Sequence, residues 1–198
     1  MPAARPPAPA PEPRRFATAR AFETWLSREH ASADGLWLLF AKAGADKPTL
    51  TYPEAIEVAL CWGWIDGQKK SIDAHWWMQR FTPRRARSLW SKINCGKAEA
   101  LVAAGRMQPP GAAEIARAKA DGRWEQAYEG ARTSQVPEDL RAALVAEPAA
   151  AAFFADLDAT NRYAVLWRVQ TAQKPQTRAR RIETLVARLA RGEKIHPR

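Results

Sequence analysis

The sequence predicts an α+β protein: a small, mostly antiparallel sheet with helices, followed by an all-helical C-terminal part. The strand signals are a short run of bulky apolar residues at 35–40, and two strand-like segments at 62–68 and 75–82 joined by a polar connection of hairpin length. From Ser91 onward these signals disappear and helical periodicity replaces them. The sheet is therefore expected in the first half of the chain.

Two helices are expected beside these strands. Within 16–31, Phe22 and Leu26 stand at helical spacing, as expected for the buried side of a helix. A second helix is expected to begin at Pro53, which suits the first helical position, with Thr51 as its N-cap.

The hairpin carries a candidate acidic residue. Strand alternation places on one face of the first strand Trp62, Trp64, Asp66 and Gln68. Asp66 is therefore expected beside tryptophan rings, where apolar surroundings disfavour a charged carboxylate. The sequence leaves three roles open for Asp66. It could act as a base, it could be the partner of Arg80, or it could form a structural ion pair or cap a turn.

In the C-terminal part, prolines and polar capping residues divide the sequence into a series of predicted helices at 137–146, 148–157, 160–172 and 175–191. In the last of them, apolar residues recur at i, i+3, i+4 and i+7, namely Ile182, Leu185, Val186 and Leu189. This pattern is typical of a helix that is packed on one side.

Three regions follow from these patterns. They are a disordered tail rich in proline and alanine at 1–15, an α+β domain at 16–130, and a C-terminal helical domain at 131–198. No apolar run approaches the ~18 residues of a membrane-spanning helix, and the tail lacks the apolar core of a secretory signal. A cytoplasmic location is expected.

Cysteine and histidine usage argues against metal and disulfide chemistry. Cys61 and Cys95 form no CxxC pair, and the three histidines are scattered along the chain. No metal site, no cofactor and no catalytic residue is expected. Cys61 follows an apolar helical stripe and is expected to be a buried, inert thiol rather than a nucleophile.

The net charge of +10 is concentrated in two segments. Segment 69–97 carries a net charge of +7 and segment 162–198 a net charge of +8. Such asymmetry indicates an anionic partner, whether nucleic acid, acidic lipid head groups, a small molecule or a protein. The oligomeric state is not indicated.

The first basic segment contains the main anion-binding candidates. They are Asp66, Arg80, Thr82, Arg84, Arg85, Ser88, Ser91 and Asn94. Guanidinium groups bind phosphate or carboxylate bidentately, and a helix N-terminus near 88–91 supplies free backbone N–H groups. The alternative is a strand-to-helix turn in which the hydroxyls cap the helix and the arginines pair with acidic residues.

The second basic segment predicts a secondary basic patch of Lys174, Arg178, Arg180 and Arg181. These residues lie at the start of the last helix, where positive charge is unfavourable because it opposes the helix dipole. Such a placement indicates that the charges serve to bind a partner. Aromatic residues interleaved with basic ones at Trp76, Trp77 and Phe81 also resemble a stacking platform for single-stranded nucleic acid.

Several segments together resemble one known family. They are ALCWGWIDGQ at 59–68, RFTPRR at 80–85, SLWSKIN at 88–94, GRM at 105–107, AKADGRW at 118–124, VPEDL at 136–140 and TRARRI at 177–182. In this order, and over roughly 16–194, the chain is similar to the YdeI/OmpD-associated (bacteriocin-protection) family. The resemblance implies a role in tolerance of bacteriocins or cationic antimicrobial peptides and an association with a porin. The resemblance implies no set of catalytic residues for this chain.

The function predicted from the sequence is that of a non-catalytic, cytoplasmic protein of this family that binds an anionic partner or ligand. The alternative is a nucleic-acid-binding module that uses both basic segments. A weaker alternative is an enzyme that acts on a phosphorylated small molecule.

Overall fold

The structure is a computed structural model that describes residues 12–45 and 48–197. The chain divides into two compact units. The first unit comprises the described residues up to Ser88 together with Lys97–Ala118, and the second comprises Leu89–Gly96 together with the residues from Lys119 onward. Of the predicted tail at 1–15, residues 1–11 lie outside the described part of the chain.

The first unit is built on a four-stranded sheet, which confirms the predicted α+β class. Its elements in chain order are β1 (Arg14–Arg15), α1 (Ala19–Glu29), β2 (Leu36–Ala41), α2 (Tyr52–Cys61), β3 (Trp64–Ser71) and β4 (Trp76–Pro83). The strand order is β1-β2-β4-β3. Only the two-residue β1 pairs in parallel, and the sheet is otherwise antiparallel.

Polar caps fix the beginnings of both helices in this unit. Thr18 Oγ1 accepts a hydrogen bond of 3.2 Å from the backbone N–H of Ala21 at the start of α1. At α2 the predicted cap is confirmed as a reciprocal capping box, in which Glu54 N–H donates to Thr51 Oγ1 and Thr51 N–H donates to Glu54 Oε2.

The core of this unit lies between the sheet and α1. Phe22 of α1 meets Phe81 of β4 edge-on at 5.9 Å between ring centroids, and Trp25 meets Trp64 of β3 at 5.7 Å. Phe22, Leu26 and Phe81 have no exposed surface. Each such apolar side chain contributes about 1.5–3 kcal/mol on burial, so this layer fixes which face of the sheet is covered.

The first hairpin strand begins later than the sequence predicts. Trp62 is not a strand residue, because it caps the C-terminus of α2, and Gly63 then turns the chain with a φ of +73°. Trp64 and Asp66 do share a face, since they stand two residues apart in β3. A bulge between Asp66 and Lys69 then shifts the register, which strand periodicity could not foresee.

Two further helices follow the sheet, α3 (Lys92–Ala103) and α4 (Pro109–Ala120). In the first unit α4 approaches the end of α2 very closely at Gly111. A Cβ atom at this position would lie 2.3 Å from the carbonyl oxygen of Cys61 and 2.6 Å from that of Leu60. Only glycine permits this contact between two backbones.

The second unit contains the predicted C-terminal helices, observed as α5 (Glu138–Val145), α6 (Pro148–Ala155), α7 (Ala159–Gln170) and α8 (Pro175–Ala190). Its core combines Leu140, Phe154 and Val165 with the stripe of α8 that the sequence predicts. Ile182, Leu185 and Leu189 are buried and Val186 is half-buried. No helix among the described residues is both long and apolar enough to cross a membrane.

Candidate functional site

A basic, open cavity of about 530 Å³ lies along α7 and α8 in the second unit. We refer to it as the arginine cavity. It is lined by Leu89, Trp167, Arg168, Thr171, Thr177, Arg180, Arg181, Thr184, Leu185 and Arg188. Four guanidinium groups and three hydroxyl groups therefore surround it, and no described residue of its lining is acidic.

Backbone carbonyl groups of α7 hold two of these arginines in place. Arg168 Nη1 donates a hydrogen bond of 2.9 Å to the carbonyl oxygen of Ala164. Arg181 Nη1 donates to the carbonyl oxygen of Arg168 at 2.7 Å and to Thr171 Oγ1 at 3.3 Å. The carbonyl of Arg168 lies in the last turn of α7, where the helix dipole attracts cations. Together these bonds hold the two guanidinium groups at the cavity wall and leave their remaining N–H groups as donors.

The arginines of the cavity repel one another. Burial, followed by the charges of Arg188 and Arg181, lowers the pKa of Arg168 from its ordinary value. Arg188 is partly neutralised, because Glu193 lies 3.4 Å from its Nε atom and its Nη2 donates to the carbonyl oxygen of Lys194. A bound anion would relieve the remaining repulsion.

One aromatic ring borders this cavity. Trp167 is 37 % exposed, and its ring meets Tyr128 edge-on at 6.3 Å between centroids. Trp167 and Arg168 also line a neighbouring cavity of about 390 Å³. The further residues that line this second cavity are Tyr128, Thr160, Tyr163, Ala164 and His196.

The residues of the predicted secondary basic patch lie in three different surroundings. Arg180 and Arg181 line the arginine cavity. Arg178 is instead bound to Asp139 of α5 through two hydrogen bonds of 2.6 and 2.9 Å. Lys174 is exposed at the N-cap position of α8.

Sequence reasoning missed Arg168, Arg188 and the three threonines of the cavity. A signal for part of this set was present, because Thr177, Arg181, Thr184 and Arg188 recur at i, i+4, i+7 and i+11 along α8. Residues at this spacing share one face of a helix. Arg168 carried no comparable signal, since its position depends on how α7 packs against α8.

The structure separates Asp66 from Arg80, which the sequence allowed as partners. Asp66 pairs with Phe81 across the hairpin, so Asp66 lies on the face that α1 and α2 cover. Its Oδ2 accepts hydrogen bonds from Tyr52 Oη at 2.7 Å and from Gln79 Nε2 at 3.4 Å. Arg80 follows on the opposite face, because neighbouring residues of a strand point to opposite sides. Of the roles that the sequence left open for Asp66, the pairing with Arg80 is therefore excluded.

Arg80 and Thr82 do share the other face of the sheet. A Cβ atom on Gly35 would lie 3.3 Å from Arg80 Nε and 3.1 Å from Thr82 Cγ2. The same face carries Trp37, which pairs with Arg80 in the register of β2 and β4. These two predicted residues are thus close together, whereas Asp66 is not part of the same surface.

The remaining predicted candidates follow the end of β4. Arg84 is buried and Arg85 is exposed. Ser88 Oγ accepts a hydrogen bond of 2.9 Å from the backbone of Arg85, in a tight turn. In the second unit, Ser91 Oγ accepts one of 3.1 Å from the backbone of Asn94 at the start of α3. The capping role that the sequence left open is therefore observed for the hydroxyl of Ser91.

Of the three rings in the predicted stacking platform at 76–81, Phe81 is a wrong prediction, because it is fully buried. Trp77 stacks on Phe40 at 4.5 Å between centroids, and Phe81 has no exposed surface. Both rings point toward the core because they occupy the covered face of β4. Trp77 is nevertheless half-buried, with Lys69 Nζ 4.3 Å from its ring centroid. Trp76 lies on the other face, where it is also half-buried.

The thiols behave as the sequence predicts. Cys61 and Cys95 are both free and buried. Burial raises the pKa of the Cys61 thiol to about 11, which makes it a poor nucleophile at neutral pH. Among the residues that the structure describes, no three His, Cys, Asp or Glu side chains are grouped as metal ligands would be.

Two family models match different parts of the chain. Residues 14–114, which include the whole sheet and just over half of the chain, match a family model described as a domain of unknown function (DUF8412), and the chain belongs to that family. Residues 133–192, which include α5 to α8, match the model described as bacteriocin-protection, YdeI or OmpD-associated. The family resemblance is thus confirmed, with this match covering the C-terminal helices. No curated protein and no solved structure matches the chain.

Proposed function

We propose that the protein is a non-catalytic binding protein that holds an anionic, phosphate-bearing ligand in the arginine cavity. The observation that carries this proposal is the composition of the cavity wall, in which four arginines and three threonines stand without an acidic residue among the described ones. Guanidinium groups bind phosphate oxygens bidentately. The hydroxyl of Thr177 can donate a further hydrogen bond, whereas those of Thr171 and Thr184 donate to the carbonyl oxygens of Trp167 and Arg180.

The geometry favours a compact anion over a diffuse basic surface. Arg168 and Arg181 are anchored to backbone carbonyl groups, so less side-chain freedom is lost when an anion binds. Burial, followed by repulsion from Arg188 and Arg181, lowers the pKa of Arg168, and a bound dianion would offset the repulsive part. Both effects are local to the cavity.

A binding function without catalysis is sufficient to explain the residues that line the arginine cavity. The described lining contains no His, Cys, Asp or Glu side chain that could act as a general base. An enzyme that acts on a phosphorylated small molecule remains the weaker alternative. The cluster predicted at Arg80, Arg84 and Arg85 remains a second candidate location for the anion.

The proposed cellular role is tolerance of bacteriocins or cationic antimicrobial peptides, exerted from the cytoplasm. The support for this role is the description of the family model that matches residues 133–192. Except for Leu89, every residue that lines the arginine cavity lies within this match.

The proposal is tested by thermal unfolding in sodium phosphate against sodium chloride at equal ionic strength. A ligand of the native state raises the melting temperature by mass action, with a stabilisation of about 2.7 kcal/mol at 100 times its Kd. We expect Arg180→Glu to abolish the phosphate-specific increase. Arg180 is suitable because its side chain is exposed and lines the cavity.

Arg132→Glu is the matched control, since Arg132 is an exposed arginine of the same unit that does not line the cavity. It changes the net charge by the same amount and should leave the phosphate effect intact. A double Arg84→Glu/Arg85→Glu variant tests the other location. Equal losses in all three variants, or no phosphate effect in the original protein, would refute binding in the arginine cavity.

A further inference from the structure

Trp167 is distinguished from the other tryptophans by its exposure at a charged cavity. Among the described residues it is the one aromatic side chain in the group of large, exposed apolar residues. Burying an indole ring is worth several kcal/mol, so a ring left accessible at a cavity wall is available to a ligand. Its edge-on contact with Tyr128 holds the ring in one orientation.

The ring lines the same cavity as the arginines, and a short chain of hydrogen bonds connects the backbone of Trp167 to one of them. Thr171 Oγ1 donates to the carbonyl oxygen of Trp167 at 2.8 Å, and Arg181 Nη1 donates to Thr171 Oγ1. Trp167 and Thr171 are four residues apart on α7 and therefore neighbours on one helix face, about 6 Å apart. The aromatic face and the cationic wall thus belong to a single site.

A ligand that uses both parts needs a phosphate group and a flat aromatic group a few ångströms apart. Bases stack on tryptophan with little dependence on sequence, because every base has a π face. The arginine cavity of about 530 Å³ and the adjoining cavity of about 390 Å³, which share Trp167 and Arg168, fall within the range of small-ligand sites.

We propose that the ligand of the arginine cavity is a mononucleotide, whose phosphate is bound by Arg168, Arg180 and Arg181 and whose base stacks on Trp167. This inference rests on the proposed function, because it assigns the class of ligand to the same site. The second cavity adds hydroxyl groups beyond the ring, from Thr160 and Tyr163. Of these, Tyr163 Oη already donates to the carbonyl oxygen of Glu129 at 3.0 Å, which fixes its position.

Isothermal titration calorimetry with adenosine 5′-monophosphate, ribose 5-phosphate and inorganic phosphate tests the inference. We expect the nucleotide to bind roughly tenfold more tightly than ribose 5-phosphate, which is the effect of one base–aromatic stack. Trp167→Leu should remove that advantage and leave the affinity for ribose 5-phosphate unchanged. Trp167→Phe should retain part of the advantage, because phenylalanine still offers a ring.

The outcomes separate the two proposals. If ribose 5-phosphate and the nucleotide bind equally well, or if Trp167→Leu weakens both to the same extent, the assignment of a nucleotide is wrong while anion binding stands. If none of the three ligands binds, the proposed function fails as well. Tighter binding of an oligonucleotide, with a salt dependence of several phosphate contacts, would assign the site to single-stranded nucleic acid and overturn the mononucleotide.

Discussion

Arg178 of α8 binds Asp139 of α5 through two guanidinium nitrogens, with Nε at 2.6 Å and Nη2 at 2.9 Å from the carboxylate oxygens. The same guanidinium donates a third hydrogen bond to the carbonyl oxygen of Val169 in α7. One side chain therefore links three of the four C-terminal helices. This role explains why Arg178 differs from its neighbours Arg180 and Arg181, which line the arginine cavity.

We expect Asp139→Asn to lower the free energy of unfolding by about 1 kcal/mol, because a bidentate pair at a partly exposed site is worth that much. Arg178, more than any other group, lowers the pKa of Asp139. A lowered pKa means that the stabilisation is present above the unfolded value and is lost as pH falls below about 4. Urea unfolding at pH 7 and pH 3 should show a smaller difference between the variant and the original protein at the lower pH.

Asp66→Asn should act on stability and not on anion binding. The carboxylate accepts hydrogen bonds from Tyr52 and Gln79 on the covered face of the sheet, and removing its charge weakens them by about 1 kcal/mol. We expect a lower melting temperature and an unchanged Kd for phosphate. Loss of phosphate binding with an unchanged melting temperature would instead make Asp66 a ligand-binding residue.

Gly111→Ala should be strongly destabilising. The added methyl group would lie 2.3 Å from the carbonyl oxygen of Cys61 and 2.5 Å from Met107 Sδ, so α4 would have to move away from α2. Overpacking of this kind typically costs about 1–3 kcal/mol. The matched control is Gly96→Ala, at a helical glycine with open space around it, which should be neutral or slightly stabilising in the same denaturation experiment.

Cys61 should not react with a thiol reagent in the native protein at pH 8. The side chain is 1 % exposed, and burial raises its pKa to about 11 from an ordinary value of 9.0. A raised pKa means that the stabilisation is complete below the unfolded value and is lost as pH rises toward 11. Release of the chromophore from Ellman's reagent should require denaturant, and rapid labelling of the native Cys61 would show that the thiol is accessible.

Charge reversal distinguishes a small-anion site from a nucleic-acid surface. A nucleic-acid binder loses affinity steeply with salt, with log K falling by about 0.7 per phosphate contact on single strands. In that case Arg84→Glu/Arg85→Glu and Arg180→Glu/Arg181→Glu should each weaken binding and flatten the slope. For the arginine cavity only the second pair should matter. Binding of DNA or RNA by the protein is measured at ~50 mM salt. If neither binds at this low salt concentration, the nucleic-acid alternative is wrong.

The helices and strands of this protein were predicted from the sequence more accurately than the way in which they pack against one another. Periodicity and capping signals identified α2, with its Thr51 cap, and the buried stripe of α8 because these are local properties. The pairing of Asp66 with Arg80 failed because the strand register placed the two residues on opposite faces. The arginine cavity was only half predicted, since Arg168 reaches it through the packing of α7 on α8, which no spacing along the chain reveals.

The division of the chain into two units determines where the protein can be cut. Leu89–Gly96 belongs to the second unit, although residues of the first unit precede and follow it, so the polypeptide passes from one unit to the other at three points. A fragment cut to residues 133–192 would lack Trp90 and Trp124, whose rings lie 4.8 Å apart in that unit. No single cut therefore releases either unit whole, although each matched region is one continuous stretch of the chain.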